Sequence, residues 1–141
     1  MALKASDLNI GDTYTETLVE NLSRTQIVQY AGASGDYNPL HTDEIFTTKV
    51  AGYPTVFAHG MLTMGMTGRM VTNYVGDGRL TKYGVRFTSQ VWPGDTLSST
   101  ATVEDLSDGI VRLNLQTTNQ EGTVVLSGYA EARVDLSLIH I

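Results

Sequence analysis

The spacing of apolar residues changes from helix-like to strand-like about halfway along the chain. A strand is predicted over residues 13–19, after a turn at residues 10–12. A helix should follow, because Ser23 is a suitable N-cap, and it should end near Ser34-Gly35, because Gly35 breaks it and Pro39 cannot continue it. The apolar residues that share one broad face of this helix are Ile27, Val28, Tyr30 and Ala31.

A longer helix is predicted from Gly60 to Val75, where a Gly-Asp-Gly sequence ends it. It is apolar nearly all round as far as Arg69, a composition typical of a buried helix. Gly65 and Gly68 each cost about 1 kcal/mol relative to Ala in a helix interior. We therefore expect a sheet or a substrate chain to approach this helix closely at both glycines.

From Leu80 onward, apolar and polar residues alternate, which is typical of strands with one buried face. Hairpin turns are predicted at Asp108-Gly109 and Glu121-Gly122. The predicted inward positions of the last three strands are Leu97, Ser99, Ala101, Val103, Val111, Leu113, Leu115, Val124, Leu126, Gly128, Ala130, Ala132 and Val134. A buried helix followed by an antiparallel meander predicts an α+β fold of the hot-dog type, in which a curved antiparallel sheet wraps around a central helix. Such a sheet leaves an edge that a second subunit can cover.

Length and composition narrow the classes of protein. The 141 residues fit one domain, and neither a bilayer-spanning apolar run nor a signal peptide is found, so we expect a cytoplasmic protein without membrane insertion. The absence of cysteine excludes disulfides, thiolate zinc sites and a cysteine nucleophile. The net charge of −6 argues against nucleic acid as a partner. Arg79, Lys82 and Arg86 form the densest basic group, which we interpret as solvated surface rather than a site for the phosphates of a carrier.

Candidate chemistry concentrates in residues 34–41, which read Ser-Gly-Asp-Tyr-Asn-Pro-Leu-His. Such a stretch can be nothing more than two successive turns, with Thr42 capping a short helical turn after them. However, Asp36 and His41 are held by Gly and Pro and can be aimed at one point. They would then position and deprotonate a water, or return a proton to a leaving hydroxide. Asn38 lies between them and can hold either group by hydrogen bonds.

A second candidate lies where the long helix is predicted to begin. Free N–H groups at a helix N-terminus can bind a developing oxyanion, and Gly60 would let a carbonyl approach without a Cβ in the way. We interpret His59 as a packed or capping histidine. A metal site from Asp36, His41, Asp43 and His59 would suit oxygen and nitrogen ligation. Its spacing matches no known ligand set, so we expect neither a metal nor a cofactor.

Residues 34–41, 58–62 and 91–97 together resemble the MaoC-like family, which includes (R)-specific enoyl-CoA hydratases and mycobacterial (3R)-hydroxyacyl-thioester dehydratases. The resemblance implies a hot-dog fold and an acyl thioester substrate carried by CoA or acyl carrier protein. It implies that Asp36 and His41 are the catalytic pair, that Gly60 donates its N–H to the thioester oxygen, and that Asn38 supports them. It also implies a homodimer, or a heterodimer with a related hot-dog subunit.

One position departs from the family, since many of its members have a Ser where this chain has Gly68. Either the hydrogen bond that this Ser makes in the relatives is dispensable, or Thr63 or Thr67 makes it instead, or the acyl tunnel is wider here.

Two other functions stay open. A hot-dog thioesterase would also use a carboxylate and a helix end, and a non-catalytic acyl-binding subunit would have no need of Asp36 and His41.

Overall fold

In the described part of the chain, one strand and three helices precede four further strands. The computed structural model describes residues 3–134, so the apolar segment at residues 136–141 lies outside the described part. The helices are α1 (Arg24–Ser34), α2 (Pro39–Thr42) and α3 (Gly60–Val75), with a 3-10 turn at Ala5–Asp7 and a π-helical turn at Phe46–Val50. The strands are β1 (Thr13–Val19), β2 (Leu80–Phe87), β3 (Leu97–Ser107), β4 (Ile110–Thr118) and β5 (Val124–Arg133).

The five strands form one antiparallel sheet in the order β1-β3-β4-β5-β2. Both central residues of the β3–β4 hairpin have positive φ, 56° at Asp108 and 74° at Gly109, as a tight two-residue turn requires. The register of β4 and β5 shifts near Thr117, so Val125 is buried there and Val124 is only half-buried. Helix α3 packs against β1, β2, β3 and β5. The predicted hot-dog fold is therefore confirmed.

The composition of helix α3 had suggested burial all round. The helix is in fact buried on one face only. The face toward the sheet carries Thr63, Thr67, Met70, Val71 and Val75. On the other side, Met61 is 56% exposed, because no described residue of the chain covers it. The buried face is partly polar. The Oγ1 atoms of Thr67 and Thr117 lie 2.8 Å apart, and Thr117 donates to Ser99 Oγ at 3.0 Å.

The two glycines within α3 differ in their surroundings. A Cβ added at Gly68 would lie 3.1 Å from Cε2 of Tyr83, whose hydroxyl donates to the Met64 carbonyl at 2.6 Å. A Cβ at Gly65 would meet no atom within 4 Å among the described residues. Close approach by the sheet therefore accounts for Gly68 but not for Gly65.

One helix agrees with expectation at both ends and another does not. Helix α1 begins and ends as predicted, with Ser23 Oγ accepting from Gln26 N–H at 3.1 Å. Helix α2 is capped by Asn38, whose Oδ1 accepts from Leu40 N–H at 3.0 Å, and Thr42 is its last residue. The helical turn expected after Thr42 begins one position later, after Asp43, whose Oδ1 accepts from Phe46 N–H at 3.1 Å. Proline at the first position of α2 is suited to a helix start, and it places Thr42 inside α2.

Arg79 is not part of a solvated basic surface. It is 7% exposed, and its guanidinium donates to the backbone carbonyls of Leu3 and Arg133. These contacts tie the N-terminal segment to the end of β5, so Arg79 is not available to a carrier phosphate. No helix within residues 3–134 has the length and hydropathy needed to span a membrane.

Candidate active site

Asp36 is held in the loop between α1 and α2 by hydrogen bonds to its near neighbours. Its N–H donates to Ser34 Oγ at 3.2 Å, and its Oδ1 accepts from Asn38 N–H at 3.2 Å. Asn38 in turn caps α2, which carries His41. Asn38 therefore acts as a structural link between the two candidate catalytic residues, and the carboxylate of Asp36 is left exposed to solvent.

His41 is oriented by the backbone of the segment before α3. Its Nδ1 lies 2.6 Å from the carbonyl oxygen of Phe57. A carbonyl only accepts, so Nδ1 carries the proton and Nε2 keeps its lone pair. Burial lowers the pKa of His41 below its ordinary value, and His59 acts in the same direction, against the Phe57 carbonyl and the Asp36 carboxylate. His41 is therefore a neutral acceptor near pH 7.

His59 joins the two residues in a way that the sequence did not indicate. It is 1% exposed, and its Nε2 lies 3.0 Å from the backbone carbonyl of Asp36, to which it donates. Its ring stacks on that of His41, with centroids 3.8 Å apart, and Tyr30 packs against it edge-on at 4.9 Å. The interpretation as a packed histidine is correct, whereas His59 makes no capping hydrogen bond. The position of His59 directly before Gly60 was the one sign in the sequence that this histidine lies near the candidate site.

Asp36, His41 and His59 converge, and each offers a side-chain N or O atom within 4.8 Å of the others. Asp43, the fourth residue considered as a metal ligand, is not part of this cluster. Its Oδ1 accepts from Phe46 N–H at 3.1 Å. Lone pairs of imidazole lie in the ring plane, and the two rings are inclined by only 23°. Both rings would have to tilt before their lone pairs could meet at one ion about 2 Å from each nitrogen. The geometry favours a water held by the Asp36 carboxylate and His41 Nε2 over a metal.

Gly60 begins α3 beside a cavity of about 350 Å³. The cavity is lined by Phe57, Ala58, Gly60, Thr63, Phe87, Thr88, Ser89, Gln90, Val91 and Val125. Asp36 and His41 do not line it. Phe57 borders both regions, because its carbonyl oxygen accepts from His41 Nδ1, its ring lies edge-on to that of His41 with centroids 5.3 Å apart, and it lines the cavity. Phe57 therefore connects the candidate pair to the cavity beside Gly60.

The sequence matches the family model described as "MaoC like domain" over residues 6–126, and the chain belongs to this family. It is 38% identical over 104 residues to the peroxisomal enoyl-CoA hydratase 2 of Arabidopsis thaliana, a match that covers 71% of this chain and 32% of that protein. It is 45% identical over 69 residues to the 3-hydroxyacyl-thioester dehydratase Y of Mycobacterium tuberculosis, covering 47% of this chain and 24% of that protein. The chain therefore spans a third or less of the length of these relatives.

Among solved structures, the unliganded R-hydratase PhaJ1 from Pseudomonas aeruginosa superposes with a TM-score of 0.81 and 27% identity. The match covers 94% of this chain and 86% of that one. The named relatives are hydratases and dehydratases, which are hydro-lyases. The structure also brings Asp36 and His41 together as the sequence predicted, while the roles of both residues stay predictions.

Proposed function

We propose that residues 1–141 form one hydratase domain that adds water reversibly to trans-2-enoyl thioesters and dehydrates (3R)-hydroxyacyl thioesters in fatty-acyl metabolism. The observation that carries this proposal is the pairing of the Asp36 carboxylate with His41, whose proton is held on Nδ1 by the Phe57 carbonyl. Both groups then present acceptors to the same small region. A water that donates one hydrogen to each would direct its own lone pair at a substrate carbon.

In this mechanism the oxygen of the held water adds to C3 of the enoyl thioester. The pair takes one proton from the water, and a proton is returned to C2, so that the product contains both elements of water. Negative charge develops on the thioester oxygen as the C3–O bond forms. Gly60 N–H, for which no acceptor is found within residues 3–134, would donate to that oxygen from the positive end of α3. In the reverse direction the same groups assist the loss of hydroxide from C3.

The test is hydration of trans-2-enoyl-CoA esters of graded chain length by the purified protein. We expect loss of the enoyl absorbance and formation of the (3R)-hydroxyacyl product, identified by chiral analysis. The same substrates linked to acyl carrier protein would show which carrier is preferred. Release of free CoA without hydration would instead identify a thioesterase, and no reaction with any chain length would reject the proposed function.

We also propose that the chain works as a dimer, either with itself or with a related hot-dog subunit that lacks the pair. Strand β2 is an edge strand of the sheet, and Phe87 at its end is 48% exposed although it lines the cavity. Met61, beside Gly60, is also exposed. A second subunit on this side would cover both residues and complete the wall of the acyl site.

We therefore expect the purified protein to sediment as a dimer at micromolar concentration, or to do so once the related subunit is added. Activity measured over a dilution series should fall as the dimer dissociates, because the site loses the wall supplied by the second subunit. A monomer that keeps its full specific activity at every concentration would contradict this proposal.

A further inference from the structure

The hydroxyl of Thr63 is a buried polar group that the proposed mechanism has not used. Thr63 is 2% exposed and lines the cavity beside Gly60. Its Oγ1 has no hydrogen-bond partner within residues 3–134. A hydroxyl buried without a partner destabilises a fold, so its presence at the wall of a cavity needs an explanation.

Other threonines in and near the helices of this chain do find partners. Thr67, one turn further along α3, has its Oγ1 2.8 Å from that of Thr117, and Thr47 Oγ1 donates to the Pro39 carbonyl at 2.9 Å. A helical threonine can also donate to the carbonyl four residues earlier. For Thr63 that carbonyl belongs to His59, and the hydroxyl makes no such bond. It is left without a partner within residues 3–134, on a residue that lines the cavity.

Gly60 and Thr63 lie on the same side of α3, because residues three apart in a helix are neighbours. They are separated by roughly 4.5 Å along the helix axis. Both line the cavity, and its wall also includes the apolar side chains of Val91 and Val125. The matching ligand therefore has an acceptor oxygen that two donors can reach, attached to an apolar chain.

We infer that Thr63 donates a second hydrogen bond to the thioester oxygen of the substrate, beside the N–H of Gly60. This inference rests on the proposed hydration of enoyl thioesters. As water adds to C3, negative charge grows on the thioester oxygen, and a hydrogen bond to that oxygen strengthens. Thr63 therefore acts mainly on turnover, since the bond is stronger in the transition state than in the bound substrate.

The test compares three variants with the wild type in steady-state hydration and in thermal unfolding. Thr63→Val should lower kcat by about 10²-fold with a much smaller change in KM, as loss of one oxyanion donor does in other enzymes. Its Tm should be equal to or higher than that of the wild type, because valine removes an unpaired buried hydroxyl. Thr63→Ser, which keeps a hydroxyl, should retain most of the turnover.

Thr67→Val is the matched control on the same face of α3. It removes the hydrogen bond between the Thr67 and Thr117 hydroxyls, although Thr117 still donates to Ser99, and should lower Tm while leaving kcat near the wild-type value. The inference is overturned if Thr63→Val turns over like the wild type, if it loses Tm and kcat together, or if Thr67→Val loses as much kcat. If the wild-type protein hydrates no enoyl thioester, the proposed function fails and this inference fails with it. Failure of the inference alone is distinguished by a wild-type protein that is active and variants that do not behave as expected.

Discussion

Replacement of Asp36 by Asn, or of His41 by Ala, should each lower kcat for enoyl-thioester hydration by about 10²-fold or more, on the scale of positioned acid–base catalysis. Asparagine keeps the Oδ1 that accepts from Asn38 N–H, so the loop should keep its shape. Alanine at position 41 removes the Nε2 acceptor. Steady-state kinetics with a trans-2-enoyl-CoA ester, together with Tm for each variant, measure the effect.

Asp43→Asn provides the matched control, because Asp43 carries a carboxylate in the same segment but lies outside the pair. Its Oδ1 accepts from a backbone N–H, which asparagine can also do, so turnover and Tm should stay near the wild type. A folded Asp36→Asn or His41→Ala protein that turned over at nearly the wild-type rate would remove the pair from the mechanism.

The dependence of kcat/KM on pH tests the protonation state of His41. Its pKa is lowered chiefly by burial, so the folded protein binds this proton less readily than a free imidazole of pKa about 6.5. Activity should therefore be level near pH 7, and the midpoint of its acid limb should lie below the pH of about 6.5 at which a free imidazole titrates, as protonation removes the Nε2 lone pair. His41→Ala should lose this acid limb. Wild-type activity that rose as the pH was lowered from 7 to 5 would contradict a neutral His41.

Gly60→Val should abolish activity. A Cβ at this position would lie 3.1 Å from ring atoms of Phe87, and the rest of the valine would occupy the cavity in front of the Gly60 N–H. The thioester oxygen could then no longer reach its donor. Activity and Tm must be measured on the same preparation, because valine at a crowded position can also strain the structure.

Two further variants separate these causes. Gly32→Val places the same side chain on α1, where an added Cβ meets no atom within 4 Å among the described residues, and it should remain active. Gly60→Val combined with Phe87→Ala removes the crowding ring but keeps the valine over the N–H. We expect this double variant to stay inactive. Recovery of turnover in it would mean that displacement of Phe87, rather than loss of the oxyanion donor, had caused the defect.

Most of the fold could be predicted, because the ends of its helices are set by residues that are close to them in sequence. Helix α1 is bounded by Ser23 and Gly35, and α3 begins at Gly60 and ends before Gly76, all within a few positions of the pattern that predicted them. The same local chemistry predicted that Asp36 and His41 could meet. The short helix α2 was not predicted, because Asn38-Pro39 also suits a turn, and Thr42, which was expected to cap a later helical turn, ends this helix.

The rest of the site depends on contacts between residues that are far apart in sequence. His59 binds the Asp36 carbonyl across 23 positions, and His41 binds the Phe57 carbonyl across 16. No periodic pattern encodes such pairings. The solvent-facing side of α3 was also missed, since an apolar helix surface is covered either by the same chain or by another one, and composition is alike in the two cases.

The hydroxyl contact between Thr67 and Thr117 favours one angular setting of the central helix, in addition to the apolar packing of Met70, Val71 and Val75. Apolar side chains tolerate small rotations of a helix against a sheet, whereas a hydrogen bond holds only over a narrow range of directions. Each residue advances a helix by about 100° around its axis, so a slip of one position would turn Thr63 away from the cavity. A polar contact in the core, two turns from the Gly60 end of the helix, thus disfavours misaligned packing during folding, while the apolar contacts beside it suffice to hold the aligned helix in place.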